Sequence, residues 1–144
     1  DDFDLMLLDS LGKRVNWLQE VCDELQLKRV ACVHARAEEF AMQHREQFDI
    51  ATSRAVAQLS ILSELCLPLI KVGGQFIAMK SVGTEDEIAA AKSAIKTLGG
   101  HIVKVEDYTI PTSDVVHRLV IVEKISPTPR AYPRAFAKIK KAPL

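Results

Sequence analysis

Patterns typical of strands and helices alternate along most of the chain, and this alternation restricts the possible folds more than any other feature. Short apolar runs at 3–8, 30–33, 48–51 and 75–79 are separated by segments whose apolar residues have helical spacing. Repeated strand–helix units favour a mostly parallel sheet that helices cover on both faces. The sequence therefore predicts an α/β fold.

The segments between these strands predict three long helices and a short one. Helices are expected over 13–25, over 57–69, where Pro68 should disturb or end the helix, and over 85–98, which Gly99 and Gly100 should stop. A loop with a short helix is expected over 35–47, and Gly73 with Gly74 predicts a turn. The inward faces are predicted to be Trp17, Leu18, Val21, Cys22 and Leu25 in the first long helix and Ile88, Ala91, Ile95 and Leu98 in the last.

The C-terminal third departs from this alternation. Two longer strand patterns, 101–108 and 115–123, predict an antiparallel hairpin at the edge of the sheet. Residues 126–144 contain four prolines and are predicted to form an extended arm rather than a core element. No acidic residue follows Glu123, and the charged residues after it are all basic. This distribution favours contact with a polyanion, and a terminus that is simply solvated is an equal alternative. The basic residues of this part are Lys124, Arg130, Arg134, Lys138, Lys140 and Lys141.

Composition excludes several classes of protein. The 144 residues suffice for one domain, with 48% hydrophobic and 26% charged residues, as in ordinary globular proteins. Basic and acidic residues number 19 each, so the net charge indicates no partner. Three scattered cysteines form neither a disulfide framework nor a metal-binding pattern and fit a reducing compartment. No apolar run is long enough to cross a bilayer. These observations predict a cytoplasmic protein without membrane or metal partners.

Polar residues follow all four predicted parallel strands. The C-terminal ends of such strands meet at one edge of the sheet, where ligands bind. A carboxylate there can accept hydrogen bonds from the hydroxyls of a ribose, but it can also simply cap the following helix. The other residues have simpler alternatives too: Arg36 and Glu38 could form a weak surface ion pair, Arg54 could cap the sheet edge, and Lys80 could simply be exposed to solvent. The residues are Asp9 and Ser10, then Arg36 and Glu38, then Arg54, and finally Lys80.

Nucleophilic catalysis has little support, because the four histidines are dispersed and no serine or cysteine lies in a nucleophile elbow. A reaction that depends on positioning and electrostatics fits better. Five motifs then narrow the choice: Leu8-Asp9-Ser10-Leu11-Gly12-Lys13-Arg14-Val15, Arg36-Ala37-Glu38-Glu39-Phe40, Ser53-Arg54-Ala55-Val56-Ala57, Leu67-Pro68-Leu69-Ile70-Lys71-Val72-Gly73-Gly74 and Pro127-Thr128-Pro129-Arg130-Ala131-Tyr132-Pro133-Arg134. In this order they resemble the bacterial small-subunit ribosomal RNA guanine-N7 methyltransferases, also called the glucose-inhibited division protein B family.

The resemblance implies a Rossmann-like class I methyltransferase fold, with S-adenosyl-L-methionine as cofactor and guanine N7 of 16S ribosomal RNA, free or in the small ribosomal subunit, as substrate. Guanine N7 needs no deprotonation, so a general base would add little and the arginines would position the RNA. By resemblance, Asp9 and Ser10 lie beside the cofactor ribose, Ala37 and Glu38 at its adenine end, and Arg54 near the methyl group, while Arg36 and Lys80 contact RNA or the transition state.

Two departures from the family pattern qualify these expectations. Ser81 stands where the family usually has glycine, and the first strand with its glycine-rich loop is missing. Residues 1–125 would then be an incomplete methyltransferase core and 126–144 a basic arm. Two strand edges should lack partners, so that the fragment rearranges, associates with itself through strands, or is unstable, and its own activity is doubtful. A nicotinamide-dependent dehydrogenase and a non-catalytic RNA-binding fragment are the alternatives.

Overall fold

The computed structural model describes residues 3–54 and 56–144. They form two compact units, of which the first ends at Phe40 and the second is Ala41–Leu144. The predicted alternation of strands and helices is confirmed. The elements are β1 (Leu5–Asp9), α1 (Gly12–Glu24), β2 (Val30–His34), α2 (Ala37–Gln43), β3 (Phe48–Arg54), α3 (Leu59–Cys66), a 3₁₀ turn (Leu67–Leu69), β4 (Ile70–Ser81), α4 (Glu85–Thr97), β5 (Gly100–Thr109), β6 (Val116–Lys124) and α5 (Phe136–Lys141).

The first unit contains a parallel pair of strands, β1 and β2, connected by α1. Helix α1 buries Val15 and Cys22, which are seven residues apart and therefore lie on one stripe. The predicted inward face is wrong at Trp17, which is 60% exposed, and at Leu25, which is 63% exposed. Trp17 lies about 140° around the helix from Cys22, and Leu25 follows the last helical residue.

The second unit is built on a four-stranded sheet in the order β3-β4-β6-β5. Strands β3 and β4 are parallel, while β6 is antiparallel to both β4 and β5, so the predicted antiparallel edge is confirmed. Helices α3 and α4 pack against the face of the sheet that carries Ala78 and Val120. The predicted inward residues of α4 are all buried, and α3 gives way at Cys66 to the 3₁₀ turn that contains Pro68.

Two glycines shape β4 and the end of α4. The turn predicted at Gly73-Gly74 is instead an irregularity within β4, where the register with β3 shifts between Phe48 and Ile50. A Cβ at Gly74 would lie 2.4 Å from the carbonyl oxygen of Asp49. Gly99 ends the α4 segment as predicted, with φ +85°, and a Cβ there would lie 2.2 Å from the carbonyl oxygen of Ser126.

Four strands of the described residues, β1, β2, β3 and β5, have one edge without a partner strand. They include β1 and β3, the two strands whose edges were predicted to lack a partner. Among the described residues, β1 pairs with β2 alone and β3 pairs with β4 alone. Unpaired N–H and C=O groups along a strand are available to another extended segment.

The C-terminal segment is not the extended arm that its prolines predict. Helix α5 forms near its end and fully buries Ile139. The hydroxyl of Thr128 donates a hydrogen bond to the carbonyl oxygen of Leu98 (2.7 Å). The guanidinium of Arg45 donates to the carbonyl oxygens of Thr128, Pro129 and Tyr132. Proline lacks the N–H group that strands and helices need, so the prolines exclude regular backbone hydrogen bonding in this segment. Its carbonyl groups are bound instead by Arg45, which lies between α2 and β3.

Two of the basic residues predicted for polyanion contact are bound to buried acceptors inside the unit. The ammonium of Lys124 is fully buried and donates to Glu46 (3.1 Å), to the carbonyl oxygen of Leu67 (2.7 Å) and to that of Ile70 (3.1 Å). Arg134 forms an ion pair with Glu64, whose side chain is 0% exposed. The four basic residues of this part that remain exposed are Arg130, Lys138, Lys140 and Lys141.

The Glu46 carboxylate should make the stability of the chain dependent on pH. Burial opposes its charge, but hydrogen bonds from the Thr128 N–H and the Lys124 ammonium outweigh burial and lower the pKa of Glu46 below its ordinary value of 4.5. A carboxyl group with a lowered folded-state pKa stabilises the fold above the unfolded-state pKa, and this contribution disappears as pH falls through the folded-state pKa. The free energy of unfolding should therefore decrease below about pH 4.5, as urea denaturation at a series of pH values would measure.

The variant Glu46→Gln should flatten part of this acid dependence. Glu106→Gln is the matched control, because Glu106 forms only a surface ion pair with Lys104 and such pairs contribute little. Equal pH slopes for Glu46→Gln and the unsubstituted chain would contradict the assignment.

Candidate cofactor site

Asp9, the last residue of β1, holds the start of α1 with its carboxylate. Its Oδ1 accepts a hydrogen bond from the Leu11 N–H (2.8 Å), and its Oδ2 accepts one from Arg14 (2.8 Å). The Leu11 hydrogen bond and the Arg14 guanidinium outweigh partial burial and lower the pKa of Asp9. The alternative that Asp9 caps the helix is therefore wrong: the N-cap residue of α1 is Leu11, and no side chain caps the helix there. Asp9 instead binds the Leu11 N–H and Arg14 just before and within the first turn, and the group is ionised at neutral pH.

The same carboxylate has room for a ribose. A carboxylate offers about four acceptor positions, and two hydrogen bonds to Asp9 occupy only part of this capacity. The side chain is 20% exposed, so an external donor can reach it. Vicinal hydroxyls are such donors, and the donor–acceptor chemistry of Asp9 therefore fits the ribose of an adenosyl cofactor.

The end of β2 lies beside Asp9 in the parallel pair. His34 is opposite Asp9 in the register, and the Ala35 N–H donates to the Asp9 carbonyl oxygen (3.2 Å). The His34 Nε2 lies 3.1 Å from the Ser10 carbonyl oxygen. Asp9 and Ser10 are thus adjacent to the β2 terminus, which leads directly to Arg36, Ala37 and Glu38.

Arg36 and Glu38 form the ion pair that one interpretation of the sequence predicts. The Arg36 Nε donates to Glu38 Oε1 (2.6 Å), and this hydrogen bond raises the pKa of Arg36. The arginine side chain is 44% exposed and the glutamate only 10%. Arg36 therefore presents its remaining surface to solvent, while Glu38 and Ala37 form the first turn of α2.

Arg54 and Lys80 belong to the second unit and end neighbouring parallel strands. Arg54, the last residue of β3, is opposite Met79 in β4. Its side chain is exposed and has no hydrogen bond or ion pair within residues 3–54 and 56–144. The segment 52–54 lies within β3 rather than beyond its end. Arg54 is thus available to an external anion or carbonyl group.

Lys80 is not the solvent-exposed lysine that one alternative supposed. Its ammonium donates to the Ala57 carbonyl oxygen (2.9 Å) and pairs with Glu87 (2.6 Å), and its side chain is 11% exposed. Glu87 Oε1 also accepts the Leu59 N–H (2.6 Å). Lys80 and Glu87 together fix the segment that enters α3.

Sequence reasoning missed Arg14 and Glu87, the partners of two of the predicted site residues. Arg14 lies in the first turn of α1, five residues after Asp9, and this spacing was a usable signal. Glu87 is one of three acidic residues in the first turn of α4, which gave no sign of a contact with Lys80. In the part of the chain that the structure describes, no cluster of potential metal ligands is found, and no helix there has the length and apolar character to cross a membrane.

The fold is that of class I S-adenosylmethionine methyltransferases. An rRNA methylase from Streptococcus thermophilus superposes with a TM-score of 0.58 at 15% identity, over 85% of this chain and 74% of that one. The precorrin-6y C5,15-methyltransferase of Geobacter metallireducens gives 0.60 at 13% identity, over 84% and 67%. TYW2 from M. jannaschii in complex with AdoMet gives 0.62 at 14% identity, over 83% and 56%.

Sequence similarity is higher and extends over the whole chain. The relative named ribosomal RNA small subunit methyltransferase G from Clostridium botulinum (strain ATCC 19397 / Type A) is 49% identical over 146 aligned positions, which cover 100% of this chain and 61% of the relative. The relative of the same name from Clostridium perfringens (strain 13 / Type A) is 47% identical with the same coverage. The chain thus spans about three fifths of the length of these relatives. The family model for rRNA small subunit methyltransferase G matches residues 1–116, and the chain belongs to this family.

Proposed function

We propose that this chain forms part of an S-adenosylmethionine-dependent methyltransferase that modifies guanine N7 in 16S ribosomal RNA. The observation that carries the proposal is the ionised Asp9 carboxylate, which keeps acceptor capacity at the end of β1 in a chain of this family. The relatives are longer than the chain, so the activity is proposed for a protein that contains it. Ribosomal RNA as substrate implies that it acts in the cytoplasm.

We assign the cofactor contacts to the residues that follow β1 and β2. Asp9 accepts hydrogen bonds from the ribose hydroxyls, with Ser10 beside it. Ala37 and Glu38 contact the adenine, whose amino group is a donor that suits a carboxylate. The ion pair between Arg36 and Glu38 supports this assignment, because it holds the carboxylate in one orientation.

The reaction requires alignment rather than proton removal. When bound, S-adenosylmethionine supplies a methyl group that its positive sulfur already activates. Guanine N7 carries an in-plane lone pair, so the protein needs to hold the base in line with the methyl carbon. Arginine often binds guanine O6 and N7 together, but that mode would block the nucleophile. We therefore assign Arg54 and Arg36 to O6 or to phosphate.

Lys80 acts indirectly in this scheme. Its ammonium is bound to Ala57 and Glu87, so we assign it the task of holding the segment after Arg54 rather than direct contact with RNA. The exposed basic residues Arg130, Lys138, Lys140 and Lys141 offer a surface for phosphate groups. Binding through such a surface should weaken as salt increases. These residues also favour the second candidate function, RNA binding without catalysis.

A chimera separates the two functions. In it, this chain replaces the matching part of the Clostridium botulinum relative, and methyl transfer from labelled S-adenosylmethionine to 16S ribosomal RNA is followed by mass spectrometry of the nucleosides. The proposal expects N7-methylguanosine. RNA binding without methyl transfer, under conditions in which the relative is active, would overturn it. The isolated chain should bind S-adenosylmethionine only above micromolar concentrations, because β1 and β3 each have one edge without a partner strand. Tighter binding would contradict this expectation.

The variant Asp9→Ala tests the cofactor assignment. Loss of a charged hydrogen-bond acceptor should raise the dissociation constant of the chimera for S-adenosylmethionine by about 10- to 100-fold, as calorimetry would measure. Asp4→Asn is the control, because Asp4 forms an exposed ion pair with Arg29 before β1 begins. Asp9→Asn should give an intermediate value, since it retains an acceptor for the Leu11 N–H. Unchanged affinity in Asp9→Ala would remove Asp9 from the site.

A further inference from the structure

A stacked aromatic pair lies near the end of the β5–β6 hairpin. Tyr108 and His117 are opposite each other in the antiparallel register. Their ring centroids are 5.7 Å apart, and the ring planes differ by 30°. Tyr108 is exposed and His117 half-buried, so the pair forms a small aromatic surface that solvent can reach.

The sheet register places this pair on the same face and at the same edge as Arg54. Arg54 is opposite Met79, and Ser81, two residues further along β4, is opposite His117. Register partners and residues two apart on a strand point to the same face. With strands about 4.8 Å apart and a rise of about 3.3 Å per residue, the Cα atoms of Arg54 and His117 are separated by roughly 12 Å. A short stretch of one RNA strand can bridge that distance.

The backbone beneath the pair is held by ion pairs on the opposite face. Arg118 donates to both oxygens of Asp107 (2.6 and 2.9 Å) and to Glu85 (2.6 Å). These contacts join β6 to β5 and to the start of α4 directly next to Tyr108 and His117. The position of the rings is therefore set before any ligand binds, which reduces the entropic cost of binding.

We propose that Tyr108 and His117 are a stacking platform for an unpaired base of single-stranded RNA, on the same short stretch of RNA as the guanine that is methylated. The proposal rests on the proposed function and adds a residue pair that positions the substrate. Unpaired RNA bases stack on aromatic side chains with little dependence on sequence. The platform uses ring faces rather than charge, so it complements phosphate contacts made elsewhere. The simpler interpretation is a cross-strand pair that only stabilises the hairpin.

The test uses the 144-residue chain and a short single-stranded RNA in which 2-aminopurine replaces individual guanines. Stacking quenches the fluorescence of 2-aminopurine. The unsubstituted chain and Tyr108→Phe should both quench it. Tyr108→Ala should abolish the quenching and raise the dissociation constant roughly five- to 100-fold. The slope of affinity against salt concentration should not change, because no phosphate contact is lost.

Control variants separate stacking from charge and from folding. Val103→Ala removes an exposed apolar side chain from β5 and should change neither quenching nor affinity. Lys140→Ala should reduce the salt slope but retain quenching. His117→Phe, which keeps an aromatic pair, should quench, whereas His117→Ala should weaken quenching. Circular dichroism shows which variants are folded, and the two aromatic-retaining variants keep the test valid if an alanine variant unfolds.

Failure of the platform and failure of the proposed function give different results. Quenching and affinity that survive in folded Tyr108→Ala would overturn the platform, as would absence of RNA binding by the unsubstituted chain. Neither result concerns methyl transfer, which the chimera measures separately. Conversely, an inactive chimera together with Tyr108-dependent quenching would overturn the methyltransferase proposal and retain the base-stacking surface.

Discussion

Replacing Arg134 by methionine is expected to lower the free energy of unfolding by about 3–5 kcal/mol. The carboxylate of Glu64 is fully buried in α3. It accepts hydrogen bonds from the Arg134 N–H (2.9 Å), Nε (2.8 Å) and Nη2 (2.6 Å). Without the guanidinium, a buried negative charge loses its counter-ion and two of these three hydrogen bonds. Urea denaturation of the purified variant measures the loss.

A double variant shows whether the loss comes from the unpaired charge. Glu64→Leu combined with Arg134→Met removes both charges and should recover most of the stability, because a buried ion pair often contributes little relative to apolar residues. Arg130→Met is the matched control: Arg130 is an exposed basic residue of the same motif and should change the free energy of unfolding by less than about 0.5 kcal/mol. A value as small for Arg134→Met would contradict the assignment of Arg134 to the interior.

The variant Arg54→Ala is expected to reduce methyl transfer by the chimera by about 100- to 1,000-fold, as for the loss of other preorganised donors at a reacting centre. Arg54 ends β3 with an exposed side chain, and no partner for it is present in the described part of the chain. Its removal should therefore change the free energy of unfolding by less than about 0.5 kcal/mol. Single-turnover kinetics with saturating RNA isolates the effect on the chemical step.

Two further variants show whether this loss depends on the geometry of the Arg54 side chain or on the removal of any exposed arginine. Arg54→Lys keeps the charge but loses the planar fork of donors, so an intermediate rate is expected. Arg29→Ala removes another exposed arginine, which pairs with Asp4, and should leave the rate unchanged. A rate equal to that of the unsubstituted chimera in Arg54→Ala would exclude Arg54 from the reacting centre.

Local periodicity accounts for the parts of the fold that the sequence predicted. In α4, the apolar residues at three- and four-residue spacing are those the structure buries. The position of Asp9 at a strand end followed from the same kind of pattern. Its helix-fixing role is compatible with a ribose contact, because one carboxylate has enough acceptor positions for both.

Long-range partners account for the parts that the sequence did not predict. Glu64 and Arg134 are separated by 70 positions in the chain, and Glu46 and Lys124 by 78. A residue's charge is visible in the sequence, but whether it faces solvent depends on which carboxylate the fold brings to it. The six C-terminal basic residues therefore look alike in the sequence, although Lys124 and Arg134 bind partners inside the unit and the other four are exposed.

The close approach of Gly99 to the C-terminal segment limits how this family member can change over evolutionary time. The carbonyl oxygen of Gly99 accepts hydrogen bonds from the N–H groups of Ile125 (2.8 Å) and Ser126 (3.1 Å), at the point where the chain leaves β6. Even an alanine methyl group at position 99 would displace the backbone of Ser126. Arg134 follows Ser126 by only eight residues. Substitutions at Gly99 and substitutions at the Glu64–Arg134 ion pair are therefore expected to give the same defect, a displaced C-terminal segment.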